Sequence, residues 1–323
     1  MTEKISLNQL TKQFGPILAV NNISMSVGSG EVLGFLGPNG AGKSTTMRMI
    51  TGFIEPTSGS IEVLGMNVAK NPVEVKRSIG YLPEGAPTYG DMTAKSYLNF
   101  IAEIRGFKGA EKRRRVDTVI NNVNIENIIN QPIDTLSKGF KRRVGLAQSL
   151  IHDPEILIMD EPTDGLDPNQ KYQVRTLIRE MSKEKAIIIS THILEEVEAV
   201  CSRAVIIAQG RLLADGTPEE LLTKASNHNA VVITINNSIA SDKLENAIEA
   251  IPNVSTIEFL PINNEDKNVS RLRVFPKNSS SIAGTIGELL RSKDIPIHEM
   301  FIERGTLDDV FRKITAPEDF SDD

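Results

Sequence analysis

Residues Gly37-Pro-Asn-Gly-Ala-Gly-Lys-Ser44 fit the pattern G-x-x-x-x-G-K-S/T. They lie between an apolar run, Val32-Leu-Gly-Phe-Leu36, and a helix-like segment, Thr45-Thr-Met-Arg-Met-Ile50. This strand–loop–helix context constrains the chain more than any other feature in it. Glycines let the backbone curl until several N–H groups point at one anion, and the start of the following helix adds partial positive charge. The stretch predicts a nucleoside triphosphate site, with Lys43 reaching the β- and γ-phosphates and the Ser44 hydroxyl on Mg2+.

The rest of the pattern is that of an α/β protein. Ile5–Leu10 and Ile17–Val27 alternate and predict antiparallel strands, the second closed by Gly28-Ser-Gly30. Four short apolar runs, Val32–Leu36, Ile156–Met159, Ala186–Ile189 and Val205–Ala208, suit strands buried on both faces of a parallel sheet. Ala94–Asn130 turns helical, with Tyr97, Ile101 and Ile104 on one face, and Gln209-Gly210 reads as a hairpin turn. The polar stretch Lys224–Asn229 breaks the pattern and predicts a boundary, giving a first domain at 1–225, with a helical part at about 90–150, and a second at 226–316. In the second domain the order β-α-β-β-α-β predicts a small ferredoxin-like α+β module, with a polar hairpin at Asn263–Asn268. Thr306-Leu-Asp-Asp309 reads as the capping box of a closing helix, and 317–323 as an acidic tail.

Two carboxylates end one of the apolar runs, at Asp160 and Glu161. At a strand end beside a phosphate loop, Asp160 is expected at the magnesium site, and Glu161 as the general base that polarises the attacking water. Ser190-Thr-His192 ends the next run, which places His192 on the same sheet edge, where ligands of open α/β sheets collect. A neutral imidazole there is expected to bond the γ-phosphate. Ser137 and Gly139, at the start of a helix-like segment, form a candidate second anion site.

Taken together, Gly37–Thr45, Leu136–Phe140, Ile156–Pro162, Gly165-Leu-Asp-Pro168 and His192 resemble the ATP-binding cassette (ABC) ATPases, in order and spacing, across roughly residues 3–225. The resemblance implies ATP and Mg2+ as ligands. It implies Phe14 as the aromatic stacked on adenine, and Gly37, Asn39, Gly40, Ala41, Gly42, Lys43, Ser44 and Thr45 as the phosphate cradle. Asp160 and Glu161 match the family's magnesium-site acid and catalytic base, Ser137 and Gly139 its signature motif, Asp167 its D-loop, and His192 its switch histidine. Glu84, in Tyr81-Leu-Pro-Glu84, stands where the family usually has a Gln linking γ-phosphate and Mg2+ to the membrane subunit. The signature reads Leu-Ser-Lys-Gly-Phe in place of Leu-Ser-Gly-Gly-Gln, so Lys138 adds a cation within reach of phosphate. Both departures, and the appended C-terminal domain, are similar to the exporter branch whose partners are six-helix ABC-2 type membrane subunits.

Each motif occurs once in this chain, and the family completes a site by joining the phosphate loop of one cassette to the signature of another. The resemblance thus implies a homodimer closing on two ATPs, a separate transmembrane permease as partner, and a cytoplasmic location on the inner face of the plasma membrane. A net charge of −6 argues against binding nucleic acid by bulk electrostatics. The single Cys201 rules out an internal disulfide and fits a reducing compartment, and no apolar run approaches the length of a bilayer span. The competing class is a soluble ABC ATPase acting on a nucleic-acid or ribosomal partner. Chromosome-type members need a long coiled coil between Lys43 and Asp160, where this chain has room only for a helical insertion. The basic runs Lys112–Arg115 and Lys141–Arg143 read as solvated faces, or as surfaces for a partner helix or anionic lipid.

Overall fold

The computed structural model describes residues 2–85, 88–236, 242–261, 269–277 and 280–315. They form two compact units, Met1–Pro218 and Glu219–Asp323. In the first unit the order is β1 (Glu3–Phe14), β2 (Ile17–Gly28), β3 (Val32–Leu36), α1 (Lys43–Ile50), β4 (Ser58–Val63), β5 (Met66–Asn67), α2 (Pro72–Ser78) and β6 (Ile79–Leu82). The helices α3 (Ala94–Ile104), α4 (Gly109–Asn122) and α5 (Lys138–Leu150) follow. Then come β7 (Ile156–Asp160), α6 (Pro168–Met181), β8 (Ala186–Thr191), α7 (Leu194–Val200), β9 (Arg203–Ala208) and β10 (Arg211–Gly216).

Two sheets carry this unit. One has the order β2-β1-β4-β5 and is antiparallel throughout. The other has the order β10-β9-β3-β8-β7-β6 and is parallel except where β10 folds back on β9. Every residue of β3, β7 and β8 is buried, as their uninterrupted apolar runs require of strands covered on both faces. Gln209 and Gly210 both take positive φ (49° and 76°), the pairing that a two-residue hairpin needs to match strand twist. Strand β6 was not expected, because Ile79-Gly-Tyr-Leu82 is short and interrupted by glycine. Gly80 is required there, since a Cβ would lie 2.3 Å from the Ser149 carbonyl oxygen.

In the helical part the buried face of α3 is Ala94, Tyr97, Leu98 and Ala102. The expectation for Ile104 fails: it is exposed, because the buried stripe advances by three and four residues from Ala94 and passes it by. Thr93 caps α3 by accepting from the Ser96 N–H.

The second unit starts earlier than the boundary expected after residue 225. It begins within α8 (Pro218–Leu222), where Leu221 is buried, as is Ala225 just beyond, and Ala225 lies against Gly305. It continues with β11 (Ala230–Asn236), α9 (Asp242–Glu249), β12 (Val254–Leu260), β13 (Val269–Pro276), α10 (Ala283–Ser292), β14 (Ile297–Glu303) and α11 (Leu307–Thr315). The sheet order β12-β13-β11-β14, antiparallel throughout, is that of a ferredoxin-like module. Val231, Ile233 and Ile235 of β11 join Leu244, Ile248, Ile286 and Leu290 in one core. On the other face Arg273 pairs with Glu258 and Glu303, and Arg271 with Glu299. Thr306 and Asp309 make the reciprocal bonds of the expected capping box. The expected hairpin at Asn263–Asn268 and the tail at 317–323 lie outside the described residues, but for Asn268's neighbour Val269, which opens β13. No helix among the described residues is long and apolar enough to cross a membrane.

Candidate nucleotide site

The carboxyl ends of β3, β6, β7 and β8 lie side by side, with Leu36 opposite Thr191, Asp160 opposite Ser190 and Leu82 opposite Met159. Just beyond these ends the chain delivers the loop 37–42, Glu84, Glu161 and His192. An open cleft of about 330 Å³ is lined there by Ala19, Asn39, Gly40, Ala41, Gly42, Lys43, Ser44, Thr45, Glu84, Asp160 and Glu161.

The loop is held by backbone contacts that exclude side chains. At Gly37 a Cβ would lie 2.4 Å from the Ile207 carbonyl oxygen, and at Gly42 the same distance from that of Ala19. Gly42 is also the left-handed residue that starts α1. Lys43 is buried and donates from Nζ to the Gly37 (2.7 Å) and Pro38 (3.1 Å) carbonyls. Burial pulls its pKa below the usual lysine range, and the negative charges of Glu161, Asp160 and Glu84 oppose that fall.

Asp160 is buried and accepts a hydrogen bond from the Ser190 hydroxyl. His192 donates from Nδ1 to Glu161 Oε1 over 2.8 Å. Glu161 itself is a non-glycine residue in the left-handed region, with φ 51°. Its N–H bonds to the Ser190 carbonyl and its own carbonyl accepts from the Asp164 N–H.

Other expected residues gather elsewhere. Ser137 caps α5, accepting from the Phe140 N–H (3.4 Å). Asp167 caps α6 in a capping box with Gln170, whose Oε1 lies against Gly139. Lys138 pairs with Asp164 at 2.7 Å and covers Gly165. Ser137, Gly139 and Asp167 thus share one neighbourhood, and none of them lines the cleft. Nor does Phe14, which is 45% exposed at the end of β1 with Lys12 Nζ 4.9 Å from its ring centre.

The basic runs correct an expectation. Arg142 and Arg143 are not on a solvated face; they are 6% and 4% exposed. Arg143 donates to the Val123 and Asn124 carbonyls and to Gln173. Lys112, Arg114 and Arg115 pair with Glu103 and Glu111, and Arg115 also stacks on Phe107. Glu196 was missed as well, since Glu195-Glu196 looks like an ordinary acidic first turn. It is 2% exposed and accepts from both Thr163 and Thr191, with Lys171 at 3.9 Å. Loss of solvent raises its pKa. Glu196→Ala strips the Thr163 hydroxyl of its acceptor and leaves that of Thr191 only the 3.5 Å contact with Glu161, and denaturant unfolding should show a loss of about 2–4 kcal/mol. A loss below about 1 kcal/mol would mean the network adds little.

Comparison with known proteins places this geometry. The ABC transporter family profile matches residues 20–164. The probable multidrug ABC transporter ATP-binding protein YbhF of Escherichia coli (strain K12) is 36% identical over 69% of this chain, which spans 39% of that protein's length. Among solved structures, cbiO1 from Clostridium perfringens, part of the ABC transporter complex cbiONQ, superposes with a TM-score of 0.63. It is 29% identical, over 69% of this chain and 92% of the other. The uncharacterized ABC transporter ATP-binding protein YcbN of Bacillus subtilis (strain 168) is 33% identical over 97% of both chains. A likeness that runs from end to end at that identity gives the family: this chain belongs to the ATP-binding proteins of the ABC transporters.

Proposed function

We propose that the chain hydrolyses ATP to drive a membrane exporter, working as a homodimer whose two nucleotide sites are shared across the seam. The observation that carries this reading is the separation of the site into two patches. Lys43, Glu84, Asp160 and Glu161 face one cleft, whereas Ser137 and Asp167 sit together outside it, at the capped starts of α5 and α6. A single copy covers the phosphates from one side only. A second copy, related by a two-fold axis, brings its Ser137 turn onto the open side.

In this reading Lys43 and the loop N–H groups bind the phosphates, and Glu161 takes a proton from the attacking water. His192, whose Nδ1 bonds to Glu161, is held beside the base, where it can sense the γ-phosphate. The Ser44 hydroxyl and the carboxylates of Asp160 and Glu84 are hard oxygen donors converging on one cleft, a set that suits Mg2+. Bound there, the ion would neutralise charge on the phosphate oxygens. Closure would bury ATP at the seam, and hydrolysis would reopen it through charge repulsion, a stroke passed to a permease through Glu84 and the loop to Asp91.

The exporter assignment is supported by the Leu136–Phe140 and Glu84 departures, and YbhF is named as a probable multidrug ABC transporter ATP-binding protein. Peripheral attachment to the cytoplasmic face of the membrane follows from it. Nothing favours the nucleic-acid alternative, and the arginines at 114, 115, 142 and 143 are already paired or buried. Co-purification with a six-helix membrane protein encoded beside this chain tests the pairing; failure to associate with and be stimulated by that protein would refute it. Ser137→Ala should leave ATP affinity unchanged and cut turnover about tenfold or more, because the hydroxyl acts on the other copy's nucleotide. Unchanged turnover would argue against a shared site.

A further inference from the structure

Among the described residues Arg142, a buried cation on α5, has no carboxylate within ion-pair distance. Its guanidinium instead spans three backbone carbonyls from two separate segments. Nη1 donates to Pro83 (2.6 Å), the residue before Glu84, while Nη2 donates to Asp160 and to Glu161 (2.8 Å). These two carbonyls flank the peptide where the chain leaves β7 and enters the left-handed turn at Glu161. A non-glycine residue is uncommon in that region and persists when its surroundings over-determine it. Burial lowers the guanidinium pKa, while Asp160, Asp164, Glu161 and Glu84 oppose the fall.

We propose that Arg142 is a positioning residue for hydrolysis: it clamps the Glu161 turn and the Glu84 loop to one another, so that both carboxylates face the cleft from fixed places. The clamp needs a planar fork. An ammonium carries its three donors on one nitrogen, whereas the guanidinium reaches the two segments from two separate nitrogens, Nη1 to Pro83 and Nη2 to Asp160 and Glu161. Because α5 begins at the Ser137 cap, the same side chain makes a short rigid link between that turn and the two carboxylates. The idea rests on Glu161 being the base, as proposed above.

The test uses the full-length chain with Arg142→Gln and Arg142→Lys, beside Glu161→Gln. ATP affinity by calorimetry should stay within about threefold of the parent in both Arg142 variants, since none of the three carbonyls binds nucleotide. KM should be little changed while kcat falls about 10- to 100-fold in Arg142→Gln, with Arg142→Lys in between. A purely structural role would instead lower affinity, melting temperature and kcat together. Adding Arg142→Gln to Glu161→Gln should leave the residual single-turnover rate within about twofold, because the two residues act as one unit. A further large drop in the double variant would overturn the proposal, and so would normal kcat in either single variant. If Arg142→Gln does not fold, Arg142→Lys decides alone on the same criterion. Normal turnover by Glu161→Gln would reject the base assignment itself. A silent Glu161→Gln beside an unimpaired Arg142→Gln would reject only the clamp.

Discussion

Glu161→Gln should stop turnover while leaving ATP bound. The amide keeps the volume of the side chain, and its oxygen still accepts from His192 Nδ1, now 2.8 Å from Glu161 Oε1. What it loses is the lone pair basic enough to take a proton from water, a contribution of about 100- to 10,000-fold in rate. The groups expected on the phosphates, Lys43 and the loop at 39–42, are untouched by the change. With hydrolysis blocked and binding intact, the ATP-bound dimer should accumulate and elute as such from a sizing column, whereas the parent chain passes through it transiently. Phosphate release at the parent rate would dismiss Glu161 as the base. A silent variant that stays monomeric at saturating ATP would dismiss the shared site.

The second large effect is expected at Gly42→Ala, for a reason that belongs to the backbone. Gly42 has φ 103°, outside the conformations an L side chain favours, and a Cβ there would meet the Ala19 carbonyl oxygen at 2.4 Å. That oxygen belongs to strand β2 at the register irregularity between the pairs Lys12–Val20 and Gln13–Leu18, and these flanking pairs limit how far it can withdraw. The loop must move instead, taking with it the N–H groups and Lys43. We expect a cost of roughly 2–4 kcal/mol, read as a loss of at least about 30-fold in ATP affinity by calorimetry. Gly40→Ala is the control. Gly40 also has positive φ, at 81°, but a Cβ there meets nothing within 4 Å, so its effect should be smaller. Equal affinities for Gly42→Ala and the parent would show that the loop tolerates the displacement.

Several parts of this structure were readable because their cause is local. The phosphate loop announces itself through glycines whose backbone conformations no other residue adopts easily. The strands β3, β7, β8 and β9 announce themselves as unbroken apolar runs, and the ends of two of them bring Asp160, Glu161 and His192 to one edge. The β-α-β-β-α-β order of the second unit was visible in its alternation of periods. Strand β6 was not, because Ile79–Leu82 is too short to show a period and is recruited by its pairing with β7.

The charged residues divide most sharply between the two levels. Lys141-Arg142-Arg143 and Glu195-Glu196 look like solvated helix faces, yet Arg142, Arg143 and Glu196 are buried. Their partners are the carbonyls of Pro83, Val123 and Glu161 and the hydroxyls of Thr163 and Thr191, all far along the chain or on other elements. A residue's own neighbours in the chain tell how its backbone curls and whether its surroundings are apolar, and that sufficed for the nucleotide loop, the sheet and the family. Whether a cation or a carboxylate ends in water or in a clamp depends on which distant polar groups the fold leaves without partners. That is a matter of tertiary packing, because burying charge is tolerated only where such groups converge.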